Sequence, residues 1–156
     1  MEKIAIKLDN YEDATNKFNE LVLSDELASY IEESSKHTLN KEKIILNVNG
    51  LKKKEEQEEF NTLIHSHYQN KVKQLNKIDK YDDYFRLILL LLGIILIIIS
   101  EQFTSLISEL FLIAGWVVVW EVVYDILFTS IKRKRDLKIV KKLANCQINY
   151  ENEIDK

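Results

Sequence analysis

Two carboxylates, Glu121 and Asp125, lie four residues apart inside an otherwise apolar stretch, and they are the side chains here best placed to do chemistry. On a helix that spacing puts both on one face. Acids inside an apolar helix are candidates for cation or proton sites in the lumen of a bundle. Within this chain Arg86 and Lys80 could instead neutralise them, which makes Arg86, Glu121, Asp125 and Lys80 a candidate intramembrane charge cluster. His65 and His67 stand two apart and project to opposite sides of a helix, so no metal site is expected of them. Cys146 is the single cysteine, which excludes an intrachain disulfide and suits a reducing compartment; its expected role is that of a small buried apolar residue. There is no Gly-rich phosphate loop, nucleophile elbow or Cys/His cluster. Neither an enzyme activity nor a cofactor is therefore expected.

The elements that would hold these residues follow from composition. The 156 residues carry a formal charge of -3, but 1–85 are dense in Lys, Asp, Glu and Asn, whereas 87–128 carry almost no charge. Proline is absent and glycine occurs only at 50, 93 and 115, so the chain is expected to be mostly regular structure. The first ten residues contain no apolar core of a signal peptide, so insertion would rest on internal segments.

Leu87–Ile99 is wholly apolar. As a helix it rises about 20 Å, short of a roughly 30 Å hydrocarbon core. Tyr84, Phe85, Ser100 and Phe103 extend it to spanning length, with Arg86 snorkelling outward. Leu106–Phe128 is long enough alone, although Glu109, Glu121 and Asp125 interrupt it. Each acid at a bilayer centre costs about 2.5–3.5 kcal/mol on insertion scales. Glu109 escapes at the outer interface, but Glu121 and Asp125 lie in the last third, close to water without reaching it.

Lys71, Lys73, Lys77, Lys80 and Arg86 precede this pair of segments, and Lys132, Arg133, Lys134, Arg135, Lys138, Lys141 and Lys142 follow it. The connection 100–105 has neither Lys nor Arg. The positive-inside rule then predicts a multi-pass protein of the cell membrane with both termini cytoplasmic. Lys132, Arg133, Lys134 and Arg135 are expected to face lipid headgroups, and no nucleic-acid partner is expected. A turn centred near Gln102–Phe103 pairs Arg86 with Glu121 and Lys80 with Asp125, and it sets Gly93 near Leu112 and Gly115 near Leu90.

Outside the membrane, Ile4, Ile6 and Leu8 alternate as a half-buried strand, as do Ile44, Leu46 and Val48 ahead of an Asn49-Gly50 turn, and Cys146, Ile148 and Tyr150. A capping box at Asp9 and Glu12 predicts a helix just after the first strand, and Ser24 starts another to about Ser35. A long helix begins near Lys54, with Glu55 and Glu56 in its first turn. Phe60, Ile64, Tyr68, Val72, Leu75, Ile78 and Tyr81 form a stripe on it. That stripe either packs on the sheet and leads into the membrane or forms a coiled-coil seam between copies. In the basic segment after 129, Leu137, Val140 and Ala144 give a modest apolar face.

Gly115, Trp116, Val117, Trp120, Glu121, Tyr124 and Asp125 form a signature in the second apolar segment. It resembles that of an uncharacterised family of small prokaryotic proteins with two transmembrane helices, over roughly the last hundred residues. That family often carries a proline within or after the signature, which bends the helix toward the interface. This chain has none, so the resemblance does not carry the bend over, and it implies no activity.

The expected architecture is a two-helix transmembrane hairpin at 84–128, a cytoplasmic α+β module at 1–83 whose long helix leads into it, and a basic helix and terminal strand at 129–156. Three short strands, including the N- and C-terminal ones, would form its sheet. The expected function is a non-enzymatic scaffold or adaptor in the bilayer, whose module binds its own copies or a protein partner. The alternative is a small oligomeric pore or membrane-disrupting effector with Glu121 and Asp125 as lumen acids.

Overall fold

The computed structural model describes residues 2–36, 43–104 and 106–151; Ser105, at the end of the predicted connection, lies outside them. The chain forms two units, one of residues 1–74 with 135–156 and the other of 75–134.

The first unit is built on strands from both ends of the sequence, as the alternating segments predict. Its sheet has the order β1 (Glu2–Lys7), β4 (Ile44–Asn49), β5 (Gln147–Glu151). Both pairings are parallel, with Ile4 beside Leu46 beside Ile148, and Ile6 beside Val48 beside Tyr150. Parallel neighbours need a long crossover between them. Between β4 and β5 that crossover comprises every long helix of the chain. Central β4 reads Ile-Ile-Leu-Asn-Val and is buried along that whole run, as a strand covered on both faces must be.

After β4 the backbone turns at Gly50, with φ of +111°. A Cβ there would lie 1.7 Å from the Leu8 carbonyl oxygen, and Leu8 N–H donates to the Asn49 carbonyl at 2.9 Å. Only glycine fits this position.

The segment after β1 departs from the expected helix. A single 3-10 turn at Tyr11–Ala14 leads into an antiparallel hairpin of β2 (Thr15–Asn16) and β3 (Asn19–Leu23). The acidic box does form, one residue on from its predicted place, because Asn10 N–H donates to the Asp13 carboxylate at 3.0 Å. The asparagines then win over helix propagation. Asn16 Oδ1 accepts from Phe18 N–H and Asn19 Oδ1 from Leu21 N–H, both at 3.0 Å, and such local bonds offer the backbone an alternative to the helical ladder.

Helix α1 (Asp25–Ser35) starts after Ser24, whose carbonyl accepts from Ala28 N–H at 2.9 Å. Helix α2 (Lys54–Ser100) begins where the acidic first turn favours it. Phe60, Ile64 and Tyr68 are fully buried, together with Ile31, Leu46 and Leu143. Removing one such side chain from water stabilises by about 1.5–3 kcal/mol, so the early stripe of α2 belongs to the core of its own chain. Tyr150 hydroxyl reaches Gln57 carbonyl at 2.8 Å and Asn61 Oδ1 at 2.9 Å, which fixes this helix to β5. Ile78 and Tyr81, later in the stripe, remain exposed.

The second unit contains the later part of α2 and a second long helix, α3 (Leu106–Tyr124), which runs through a π-helical segment at Asp125–Thr129 into α4 (Ser130–Leu143). The two long helices are each long and apolar enough to cross a membrane, and only 11% of either apolar window is buried within the chain. They lie antiparallel, with Gly93 against Gly115. A Cβ on Gly93 would sit 3.1 Å from Gly115 carbonyl oxygen, and one on Gly115 would sit 2.9 Å from Gly93 carbonyl oxygen. Small residues at a crossing let two backbones approach in this way.

The expected partners Leu112 and Leu90 are therefore replaced. Glu101, Gln102 and Phe103 N–H groups bond back to Ile98, Ile99 and Ser100, so the coil of α2 continues through the predicted turn and the chain reverses later. Side chains also lean toward the N-terminus of each helix, so facing positions shift about one residue further on each side. Ser108 Oγ donates to Ser100 carbonyl at 2.8 Å and closes the reversal.

Candidate functional site

At the end of the helical hairpin away from its loop, α2 delivers Asp79, Asp82, Asp83 and Arg86, all within two turns of one another. The return strand of helix delivers Asp125 and Arg133. Arg86 Nε donates to Asp125 Oδ2, and its Nη1 donates to Asp83 Oδ1 at 2.5 Å. Arg133 Nη1 donates to Asp82 Oδ2 and lies 3.9 Å from Asp79 Oδ1. The Arg86 side chain is 11% exposed and that of Asp125 30%, so this pair is largely removed from solvent. Charge-assisted bonds in such surroundings hold two helices in one register.

This arrangement corrects the expected pairing. Arg86 takes Asp125 and leaves Glu121, one helical turn earlier, exposed and without an ion pair among the described residues. Lys80 is exposed as well and does not join Asp125. The cause is the later reversal described above, which advances the facing register of α3 by one turn. Arg133, grouped by sequence with the headgroup-facing cations, turns instead to Asp82 and Asp79, whereas Lys132, Lys134 and Arg135 stay exposed.

Sequence reasoning missed Asp79, Asp82 and Asp83 as site residues. Their signal was present as an acidic row three and four residues apart ending on Arg86, a spacing that lines one helix face. The lysines interleaved with them dominated the orientation argument and concealed it. The π-helical segment begins at Asp125 itself. An inserted residue of this kind re-aims side chains and is common where a helix carries function. Among the described residues, no group of three or more His, Cys, Asp and Glu side chains is arranged to hold a metal ion.

The signature residues divide by face. Gly115 is buried against α2, and Trp116, Trp120 and Tyr124 are exposed on the outside of the hairpin. Tyr124 and Phe128 rings lie 4.8 Å apart on that surface.

The first unit has a site of its own. A cavity of about 610 Å³ is lined by Tyr11, Leu21, Glu58, Glu59, Thr62, Leu63 and Ser66. Of its lining, Leu21 is 84% exposed, and Phe18 at the tip of the β2–β3 hairpin is 98% exposed. His65 Nδ1 lies 3.0 Å from Ala144 carbonyl, and His67 stacks edge-on against Tyr68, so the two imidazoles serve different neighbours. Burial, with Lys71 nearby, holds His67 below its ordinary value; Lys71 itself pairs with Glu32 at 2.5 Å. Cys146 is buried, and burial pushes its thiol up to about 11, away from thiolate reactivity.

Compared with protein-family models, curated proteins and solved structures, the chain matches none.

Proposed function

We propose that this chain is a non-enzymatic scaffold or adaptor anchored in the cell membrane, with residues 84–128 spanning the bilayer and both termini in the cytoplasm. The observation that carries the reading is the pair of long helices, each with an apolar window of which only 11% is buried within the chain. A soluble protein covers its apolar core helices with its own chain, and these are left for another apolar solvent to cover. The ion pairs support it further. They gather at the end where both flanks leave the hairpin, while the opposite end, through Thr104, has no cation. Such asymmetry is what the positive-inside rule acts on.

The partner-binding role is supported by the groove beside Leu21 and by Phe18, a large apolar side chain held almost wholly in solvent. Cysteine accessibility tests the topology. With Cys146 replaced by alanine, a cysteine at Gln102 is expected to label from outside intact cells, and one at Lys36 or Lys134 only after permeabilisation. Labelling of all three from outside, or of none, overturns the proposed topology. In nanodiscs the scaffold reading expects one or two copies, because two helices per copy cannot then enclose an aqueous lumen. A closed ring of four or more favours the pore.

A further inference from the structure

We infer that the outer face of α3 around Glu121 docks a membrane helix of another protein, one carrying a lysine or arginine at the depth of Glu121. The inference rests on the membrane reading proposed above and names the partner's chemistry.

Three observations carry it. First, Glu121 lies on a surface stripe with Ile113, Val117, Trp120, Tyr124 and Phe128, all large and exposed, so the acid stands within an apolar and aromatic face. Second, it has no route to water of the kind Arg86 has. Side chains lean toward the N-terminus of their helix. For Arg86 on α2 that direction is toward the charged end of the hairpin, whereas for Glu121 on α3 it is toward the loop end and deeper among apolar residues. Glu121 also sits four residues, about 6 Å, further from the charged end than Asp125. Third, the chain's own nearby arginines are ion-paired to other carboxylates, although Arg86 Nη2 is buried without a hydrogen-bond partner. Arg86 is held by Asp125 and Asp83, and Arg133 by Asp82 and Asp79. Lys80 lies six residues, about 9 Å, nearer the charged end than Arg86, and leans the same way.

A carboxylate among acyl chains must find a cation, a hydrogen-bond donor or a proton. A second copy is the poorer solution. Two copies inserted in the same sense and packed through this stripe bring Glu121 against Glu121, like charges at close range in a low-dielectric setting. A helix with one cation at matched depth neutralises Glu121 and covers Trp120 and Tyr124, whose rings also attract a cation.

The test uses the full chain in phosphatidylcholine vesicles, with Cys146 replaced by alanine and a donor fluorophore on a cysteine at Gln102. Resistance to alkaline carbonate extraction is measured first. Extraction of the protein overturns the membrane reading, and the present inference with it. For inserted protein, the probes are two acceptor-labelled leucine-rich spanning peptides, one with a single lysine a turn and a half inside the interface and the other with leucine there. Energy transfer is expected to show at least tenfold tighter association of the lysine peptide. That preference should vanish in Glu121→Gln and Glu121→Leu and persist in Glu109→Gln. Equal association of both peptides with the unaltered chain overturns the inference while leaving membrane anchoring intact. So does association between copies that depends on Glu121. If Glu121→Gln loosens the hairpin as Asp125→Asn does, Glu121 is a partner of Arg86, and the inference likewise fails.

Discussion

Arg86 on α2 and Asp125 at the start of the π-helical segment are joined through Nε and Oδ2, across thirty-nine residues of chain. The bond ties the two apolar helices together at the end opposite their loop, with Gly93 and Gly115 in contact between the two ends. Removing Asp125 leaves Arg86, whose side chain is 11% exposed, with Asp83 as its remaining carboxylate. Asp125→Asn is therefore expected to destabilise the hairpin by about 2 kcal/mol, less than a fully buried pair because Arg86 keeps Asp83. The exchange Arg86→Asp with Asp125→Arg should recover part of the loss, and Glu121→Gln should leave hairpin stability unchanged. Steric-trapping measurements in bicelles provide the check. An exchange no better than the single variant would argue against a specific pair.

Close approach at the glycines gives a second expectation. A Cβ on Gly115 meets Ile97 Cγ1 at 2.6 Å and the Gly93 backbone at 2.9 Å, so part of the strain falls on backbone that cannot yield locally. Gly115→Ala should cost about 1–3 kcal/mol, and Gly115→Leu should separate the helices outright. Distances between spin labels on the two helices would record the separation, and unchanged distances in Gly115→Leu would refute the crossing.

Gly50 governs the sheet in a similar way, through backbone geometry instead of packing. Any side chain there meets the Leu8 carbonyl and must hold a φ of +111°. Gly50→Ala is expected to destabilise the first unit by more than about 2 kcal/mol, an effect visible as earlier urea unfolding by tryptophan-independent circular dichroism. A change under about 0.5 kcal/mol would mean that the turn rearranges freely.

Stability should also vary with pH on both sides of neutrality. Burial, with Lys71, holds His67 below 6.5, so its contribution is fully present above that pH and is lost as pH falls below it. On the alkaline side, burial raises the Cys146 thiol from 9.0 to about 11 and the Tyr150 phenol from 10.0 to about 12, and it raises Tyr68 as well. These groups stabilise fully below their unfolded values, and the contribution falls as pH rises between 9 and 12. The limiting slope is about 1.4 kcal/mol per pH unit for each group. Urea midpoints across this range should show the fall begin near 9, and Cys146→Ala should delay it to near 10. A flat profile from pH 8 to 11 would contradict the burial of these three groups.

Tyr150→Phe isolates one hydrogen bond of the α2–β5 junction. Loss of the hydroxyl leaves Gln57 carbonyl and Asn61 Oδ1 without that donor, for an expected loss of about 1 kcal/mol in urea unfolding. No loss would place the hydroxyl in water.

The sequence by itself determined the elements. Two apolar runs of spanning length, the three alternating segments and the start of the long helix at Lys54 were legible because each is a local pattern with its own period. So was the fate of Cys146, a lone small thiol in an apolar setting, and so was the turn at Asn49-Gly50 that ends a strand. The asparagines at 16 and 19 misled the reading of 10–23, since their side-chain bonds compete with a helix whose expected cap at Asp9 forms one residue later, at Asn10. What only the tertiary structure decided was who faces whom. Strand order and direction depend on a crossover made of all the long helices, which no strand pattern records. The pairing of Arg86 with Asp125, and the isolation of Glu121, turn on where α2 stops coiling and on the lean of side chains along both helices. One helical turn of register separates the two outcomes, and both acids share the helix face that the sequence makes visible. Periodicity fixes a face, and the reversal of the chain fixes the height along it.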